Sequence, residues 1–421
     1  MKHRLTILLT IIATTLQAQQ RFEATVVDAR THEALPFASV YADKESSTIT
    51  NVLGTFAINC SPSDTLRISY VGYKTVNIAA NRLGSVVMLK PQELLLSEVL
   101  VVPIGPMIDK ICKETLRLQR KHAKKKAQFF YRQTAYSDST CYEFAEAFLS
   151  GGSAVALHHL KLLTGRYAGL QANSRCAYSY FGNFFTFSQL EVAATYSKPT
   201  PMDDVVPLFR HYDKFYDVSY EVAAEEGNRI FVIHFDPKPE AVSRYAILGA
   251  TLYVDEKTLH LRRIVGRGYN FRVMTKFTYL KDNGAITLPV TVRRTYKTEF
   301  SYVIDLSSGN GFPEVQSAFV EAVYKAEGKT VTTRSLLFNL GSEEKVKRTA
   351  LDDVYYFKVD KTKTPRKKGK DMAFNGVLHN TIEQQGYDPL FWRENEIVRR
   401  TPIEQEVMEL FEQQNLFGVF Q

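Results

Sequence analysis

Short segments in which apolar and polar residues alternate, separated by turn signals, constrain the fold of this 421-residue chain more than any other feature. In the clearest example, segments 271–280 and 286–295 flank Asp282-Asn283-Gly284, a sequence typical of tight hairpin turns. Successive side chains of a strand point to opposite faces of its sheet, so this period predicts strands with one buried face. Sequential hairpins predict a large antiparallel meander sheet or half-barrel over residues 128–360.

The composition agrees with a mainly β fold. The chain has 27 Phe and 23 Tyr against one Trp, and aromatic side chains suit a pleated, half-buried surface. Apolar residues make up 45% and charged residues 23%, a balance that excludes wholesale disorder. The length is too great for one ordinary compact domain and predicts several.

The first of these domains is predicted over residues 20–102 as a seven-stranded-type β-sandwich. Six short strands are predicted within 22–89 and a last one at 94–102. Gly54 stands where a left-handed backbone would strain other residues, and Phe56 follows at an inward position. The segment 34–40, Thr50-Asn51 with Gly54 and Phe56, and the segment 69–73 together resemble the carboxypeptidase-regulatory-like, prealbumin-like domain. The resemblance implies an accessory or docking sandwich without catalytic residues.

The middle of the chain carries a second resemblance. The motif Phe130-Tyr131-Arg132-Gln133, together with Gly249 and the segment 252–255, is similar to exported Bacteroidota proteins that have the same sandwich followed by an uncharacterised β-rich region. Some of those proteins continue into an outer-membrane barrel. The hairpin around 252–255 also resembles lipoprotein carriers, in which a half-barrel holds an acyl chain.

Two helical regions complete the predicted domain plan. Residues 103–127 form a basic helical linker, with apolar residues at helical spacing from Ile108 to Leu116. Residues 361–421 form a basic linker and a C-terminal helical tail. Thr401-Pro402-Ile403-Glu404 has the form of a capping box. The predicted buried stripe of this helix is Ile403, Val407, Leu410 and Phe411, and Trp392 is predicted to dock the tail on the sheet.

Residues 1–18 have the features of a signal peptide. Lys2 and Arg4 precede an apolar run over 5–16, and Ala18 precedes a polar stretch. We therefore expect an exported protein that is periplasmic or outer-membrane-associated.

The net charge of +8 is concentrated in two runs. Residues 106–126 hold eight Lys or Arg and two acids, and residues 361–370 hold six Lys or Arg and no acid. The simpler interpretation is a solvated helix face and a solvated linker. The alternative is contact with an anionic membrane surface or envelope polymer. A nucleic-acid partner is not expected of an exported chain.

Motifs of enzyme chemistry are missing from the sequence: His-Glu-x-x-His, Gly-x-Ser-x-Gly, a Walker loop and a dinucleotide fingerprint. Gly151-Gly152-Ser153 lacks the flanking pattern of a nucleophile elbow, and adjacent His158 and His159 would face opposite ways on a strand. The pairs Asp203-Asp204 and Asp352-Asp353 are interpreted as helix starts or turns. We therefore predict no catalytic, metal or cofactor-binding residues and no cofactor.

Four cysteines allow either pairing after export or burial as free thiols. If one pair forms, Cys141 with Cys176 is the first candidate, because both lie in the central region.

These observations predict a non-enzymatic cell-envelope binding or docking protein, with an accessory sandwich in front of a β-rich domain. The expected partner is an envelope protein or an apolar or polymeric ligand, with contact to the outer-membrane surface as a further option. An apolar ligand requires an open concave face on the central sheet. The alternatives are a small outer-membrane-associated β-barrel and, last, a hydrolase with an unrecognised site.

Overall fold

The computed structural model describes the following residues: 20–42, 46–70, 72–92, 104–137, 140–169, 204–205, 208, 212–225, 228–282, 287–326, 329–333, 344–345, 348–359, 369–371, 381–382, 385–394 and 397–417. The chain divides into two compact units. The smaller consists of residues 1–93 with 393–401, and the larger of residues 94–392 with 402–421. The predicted signal peptide and the predicted strand at 94–102 lie outside the described residues.

The smaller unit is a sandwich of seven strands in two sheets, which confirms the predicted mainly β fold with an N-terminal sandwich. One sheet has the order β4-β1-β7 and the other β3-β2-β5-β6. The strands are β1 (Gln20–Asp28), β2 (Ser39–Ala42), β3 (Ser46–Ile49), β4 (Thr55–Cys60), β5 (Thr65–Ser69), β6 (Val76–Ala79) and β7 (Val86–Leu89), with a 3₁₀ turn at Ala80–Arg82. Strand β3 was not predicted.

The core of the sandwich follows the alternating pattern. Val26, Phe56 and Leu66 are fully buried between the sheets. Gly54 has φ +71°, and a Cβ there would lie 2.6 Å from the carbonyl oxygen of Val26. The predicted need for glycine at this turn is therefore confirmed.

The larger unit is built on a 14-stranded sheet, whose main path runs β12-β13-β14-β15-β16-β17-β20-β8-β9-β10-β21. Neighbours on this path are antiparallel, whereas β11 pairs in parallel with β14. The strands are β8 (Lys126–Ser137), β9 (Thr140–Gly152), β10 (His158–Gly169), β11 (Asp204–Val205), β12 (Tyr216–Glu225), β13 (Asn228–Pro237), β14 (Ala246–Asp255), β15 (Leu261–Asp282), β16 (Thr287–Ser307), β17 (Glu314–Ala326), β18 (Lys329–Thr333), β19 (Glu344–Lys345), β20 (Arg348–Val359) and β21 (Lys370–Asp371).

The predicted hairpins are present in this sheet. Strands β12 and β13 pair from Glu225↔Asn228 onwards, and β15 pairs with β16 from Asp282↔Thr287 onwards. The β15–β16 ribbon is longer than the predicted segments 271–280 and 286–295, because β15 begins at Leu261 and β16 continues to Ser307.

Helix α1 (Ile104–His122) packs against one face of the large sheet. Ile108, Ile111 and Leu118 are almost fully buried in the same core as the inward side chains of the strands. The prediction of a half-buried linker helix is therefore confirmed. In the described part of the chain, α1 therefore covers apolar side chains of the sheet that an apolar ligand would otherwise contact.

The opposite face of β8, β9 and β10 is covered by the C-terminal residues of the larger unit. Helix α2 (Pro239–Arg244) lies elsewhere in this unit, and the tail contains α3 (Pro389–Glu394) and α4 (Pro402–Gln413). Trp392 is buried, with its ring centroid 5.6 Å from that of Phe148 on β9. The predicted docking of Trp392 on the sheet is confirmed.

The predicted buried stripe of α4 is partly wrong. Ile403 is 57% and Leu410 40% exposed, whereas Glu404, Met408 and Phe411 are buried. The helix turns the face that carries Glu404 towards the sheet, because Glu404 Oε2 lies 3.6 Å from Nη1 of Arg132 on β8. None of the described helices is long and apolar enough to cross a membrane.

Candidate functional site

A pocket of about 430 Å³ lies at one end of the large sheet. Strands β8 and β20 run antiparallel with Gln128 opposite Val359, so the start of β8 lies beside the end of β20. The loop before β17 closes the third side. The lining residues are Lys125, Lys126, Ala127, Gln128, Asn310, Phe312, Glu314, Lys358 and Val359.

Two lysines that follow α1, one in the connection to β8 and one at the start of β8, give this pocket, hereafter the lysine pocket, its exposed positive charge. Lys125 and Lys126 are both exposed, and Lys125 Nζ lies 4.6 Å from the centroid of the Phe312 ring. The ring of His122 also stacks on the Phe312 ring, with the two ring centroids 4.1 Å apart. Burial lowers the pKa of His122, and the nearby charge of Lys125 lowers it further. His122 is therefore neutral near pH 7 and packs as an aromatic ring.

Glu314 is the one carboxylate among the lining residues, and its side chain is already engaged. It accepts hydrogen bonds from Lys358 Nζ at 2.6 Å, Ser153 Oγ at 2.7 Å and Asn310 Nδ2 at 3.0 Å. Burial acts to raise the pKa of Glu314, but the hydrogen bonds from Lys358 and Ser153 outweigh it and the pKa falls below its usual range. Glu314 is therefore ionised at neutral pH and neutralises Lys358.

The remaining charge of the pocket is positive. With Glu314 balanced by Lys358, the charges of Lys125 and Lys126 are left, next to exposed Lys124. Basic residues near the end of a helix also stabilise its negative dipole end, which accounts for part of this lysine cluster. The concave shape is an additional feature that a solvated helix end does not require, and it concentrates the positive potential that attracts an anionic group. The Phe312 ring holds the Lys125 ammonium group at this site by a cation–π contact.

The sequence indicated the basic residues at the start of β8 but not the other residues that line this pocket. The first basic run, 106–126, ends at Lys126 in the pocket, and the second begins two residues after Val359. Residues 360–368 lie outside the described part. Nothing in the sequence indicated Phe312, Glu314 or Lys358, because the pairing of β8 with β20 joins residues more than 200 positions apart.

Ser153, Glu314 and Lys358 form a hydrogen-bonded series that superficially resembles a hydrolase site. Ser153 is completely buried, so a substrate cannot reach its hydroxyl. Glu314 is a weak base, since its pKa is lowered and its charge is shared with Lys358. We assign these residues to holding the loop at Ser153 against the start of β17, where Val315 N also donates to the Ser153 carbonyl at 2.9 Å.

A second cluster of charged groups is buried under the tail. Glu146 accepts from Arg132 Nε at 2.8 Å and from Arg166 Nε at 2.9 Å, and all three side chains are at most 2% exposed. Arg132 also faces Glu404 of α4, and Arg166 stacks 4.8 Å over the ring of Trp392. Because tail side chains cover it, this cluster fastens α4 and Trp392 to the sheet and is closed to ligands.

The structure also places the other residues that the sequence analysis considered. The interpretation of the aspartate pairs as helix starts or turns was wrong for Asp204, in β11, and for Asp352-Asp353, in β20. His159 is exposed at φ +49°. Cys141 is buried, and its predicted partner Cys176 lies outside the described residues, as does Asp203. Among the described residues no three His, Cys, Asp or Glu side chains converge as metal ligands would.

Residues 23–101 match the family model described as CarboxypepD_reg-like domain, which confirms the resemblance for the N-terminal unit. The match is to a regulatory-like domain and not to a catalytic carboxypeptidase domain. Such a domain and a β-rich fold fit a binding or docking role.

No curated protein matches the chain in sequence. Among solved structures, two mutants of the Rhodopseudomonas blastica porin align with 10% and 8% identity. Each alignment covers 56% of this chain and 99% of the porin, with a TM-score of 0.10. A TM-score this low gives no information about the fold or the function of this chain.

Proposed function

We propose that this is a non-enzymatic docking protein of the cell envelope, whose larger unit binds an anionic surface through the lysine pocket. The observation that carries the proposal is that Lys125, which lies over the Phe312 ring, and Lys126 line one pocket, in which the only carboxylate among the described lining residues is already paired to Lys358. The N-terminal sequence, with its basic start and apolar run, supports export to the periplasm or to the outer membrane.

The same geometry favours an anionic partner over an apolar ligand. Ile108, Ile111 and Leu118 of α1 pack against the apolar face of the described sheet. Lysine side chains interact with anionic lipid surfaces at about 1 kcal/mol each when they lie close to the surface. The proposed partner is therefore the headgroup layer of an anionic phospholipid membrane.

Co-sedimentation of the purified chain with lipid vesicles tests the proposal. We expect binding to vesicles that contain phosphatidylglycerol, none to pure phosphatidylcholine vesicles, and weaker binding as salt is added. The double variant Lys125→Glu, Lys126→Glu should bind at least about thirtyfold more weakly, which corresponds to about 2 kcal/mol.

The matched control is Lys214→Glu with Lys257→Glu, which changes the charge equally at two exposed lysines that do not line the pocket. This control should lose much less affinity than the pocket variant. Equal losses would show that only net charge matters. Failure of the chain itself to bind anionic vesicles would refute the proposed partner.

A further inference from the structure

A surface of the sandwich unit holds a segment from the far end of the chain. Residues 393–401 belong to this unit, although about 300 residues separate them from its strands. Within the segment Ile397 and Val398 are buried, at 8% and 2% exposure. The side chains of the sandwich that contact the segment include Glu23 of β1, Thr48 of β3 and Asn51 of the following turn.

Two of these contacts are hydrogen bonds to the backbone of the segment. Thr48 Oγ1 donates to the carbonyl oxygen of Ile397 at 2.8 Å, and Asn51 Nδ2 donates to that of Arg399 at 3.2 Å. The segment bends at Val398, between these two carbonyl groups. The two donors therefore fix the register of a short, bent peptide segment.

The third contact is an ion pair with a side chain of the segment. Arg399 Nη1 lies 2.5 Å from Glu23 Oε2, and both side chains are about one-third exposed. Arg21 also pairs with Glu23, at 2.8 Å. The combined requirements are two adjacent apolar residues, which become buried, followed by an arginine.

Asn51 is prepared for this role by the turn that contains it. Its Oδ1 accepts from the backbone N–H groups of Leu53 and Thr55, both at 3.0 Å, which fixes the orientation of the amide. Nδ2 is then directed at the peptide carbonyl of Arg399. The donor is thus held in place before the segment binds, which lowers the entropy cost of binding.

We infer that this surface of the sandwich, formed by Glu23, Thr48 and Asn51, is a binding site for a short peptide with two apolar residues followed by arginine, bound with a bend at the second apolar residue. In this chain the site is occupied by residues 397–399. The inference is independent of the lysine pocket, since every residue that carries it belongs to the smaller unit.

The test uses the full chain and a labelled synthetic peptide with the sequence of residues 393–402. Ile397→Asp with Arg399→Glu in the chain removes its own segment from the site. We expect fluorescence anisotropy to show peptide binding to this variant and at least tenfold weaker binding to the unaltered chain, in which the resident segment competes.

Two further variants, made in the background that binds the peptide, examine specificity. Asn51→Asp keeps the Oδ1 acceptor that supports the turn but removes the donor, and Thr48→Val removes the hydroxyl at constant shape. Each should weaken peptide binding about threefold to tenfold, as expected for the loss of one hydrogen bond. A peptide with glutamate in place of Arg399 should fail to bind unless the chain carries Glu23→Arg.

Circular dichroism distinguishes loss of binding from loss of folding. A folded variant that binds no peptide, or equal binding to the variant and the unaltered chain, would overturn the inference. If the chain with Ile397→Asp and Arg399→Glu does not fold, amide hydrogen exchange of residues 397–401 is measured instead, in chains that keep this segment unaltered. Exchange should then be faster in Thr48→Val and Asn51→Asp than in the unaltered chain, and unchanged exchange would overturn the inference.

Discussion

Glu146 lies between two buried arginines, and its carboxylate engages Arg132 with one oxygen and Arg166 with the other. Burying charges costs free energy of desolvation, which their mutual attraction repays only when every partner is present. The contribution of this cluster to the stability of the fold therefore depends on all of its charged side chains being present. Its residues lie on β8, β9 and β10, and Arg132 faces Glu404 of α4, so the cluster contributes to fixing the tail on the sheet.

Replacement of Glu146 with glutamine should strongly destabilise the larger unit. The change leaves Arg132 and Arg166 buried without their main counter-charge, and we expect a loss of about 3–5 kcal/mol in the free energy of unfolding. Urea denaturation followed by tryptophan fluorescence measures it, since Trp392 is the one tryptophan and stacks on Arg166. Glu409→Gln, on the exposed side of α4, should change stability by less than about 0.5 kcal/mol. Similar effects of the two variants would contradict the assigned role.

Glu314 controls the charge of the lysine pocket. Its folded-state pKa is lowered, so its ion pairs stabilise the fold above the unfolded pKa of about 4.5, and this stabilisation is lost as the pH falls through the lower folded pKa. Glu314→Gln should abolish this part of the acid dependence, which urea unfolding from pH 7 down to pH 3 can measure.

The same substitution should increase the affinity of the chain for anionic vesicles at pH 7, because it leaves the charge of Lys358 unbalanced. One additional lysine near the surface corresponds to an increase of about fivefold. Unchanged or weaker vesicle binding by a folded Glu314→Gln chain would contradict the proposed electrostatics of the pocket.

At the scale of elements, the long β15–β16 ribbon depends on glycines opposite aromatic side chains. Gly268 pairs with Phe300 and Gly266 with Tyr302, and the rings lie over the glycines. A β-bulge follows Gly268, with Asn270 at φ +59°. Bulges bend and twist a strand, so this position is where the ribbon changes direction.

Gly268→Ala should destabilise the sheet by about 1–3 kcal/mol, because the added Cβ would lie 2.1 Å from Phe300 ring atoms. Thermal unfolding measures the effect, and Gly309→Ala is the control, since the nearest atom to its added Cβ is 3.6 Å away. Adding Phe300→Leu should restore part of the loss. No difference between Gly268→Ala and Gly309→Ala would contradict the cross-strand packing.

The elements that the sequence predicted well are those specified by local chemistry. The pairing of β15 with β16, which begins at Asp282↔Thr287, and the helix start at Thr401-Pro402 are each encoded within a few residues. Pro402 does begin α4. The buried face of α4 was assigned wrongly because Glu404 has its partner, Arg132, some 270 residues earlier. A charged residue on a helix is read as exposed unless its counter-charge is known.

At the scale of the whole molecule, both proposed binding regions are made by residues far apart in sequence. The lysine pocket joins residues 125–128 to 358–359, and the sandwich surface joins Thr48 and Asn51 to residues 397–399. Composition and motifs indicated that lysines were concentrated near 126. They could not indicate which strands meet there, because strand order in a sheet is not encoded locally.

The central claim is that the lysine pocket is the surface on which an anionic partner docks. Lysine acetylation with and without phosphatidylglycerol vesicles, read by mass spectrometry, tests it residue by residue. We expect Lys125 and Lys126 to become several-fold less reactive when vesicles are present, and the reactivity of exposed Lys214 and Lys257 to stay unchanged. Equal reactivity of Lys125 and Lys126 in both conditions, with the chain bound to the vesicles, would contradict it.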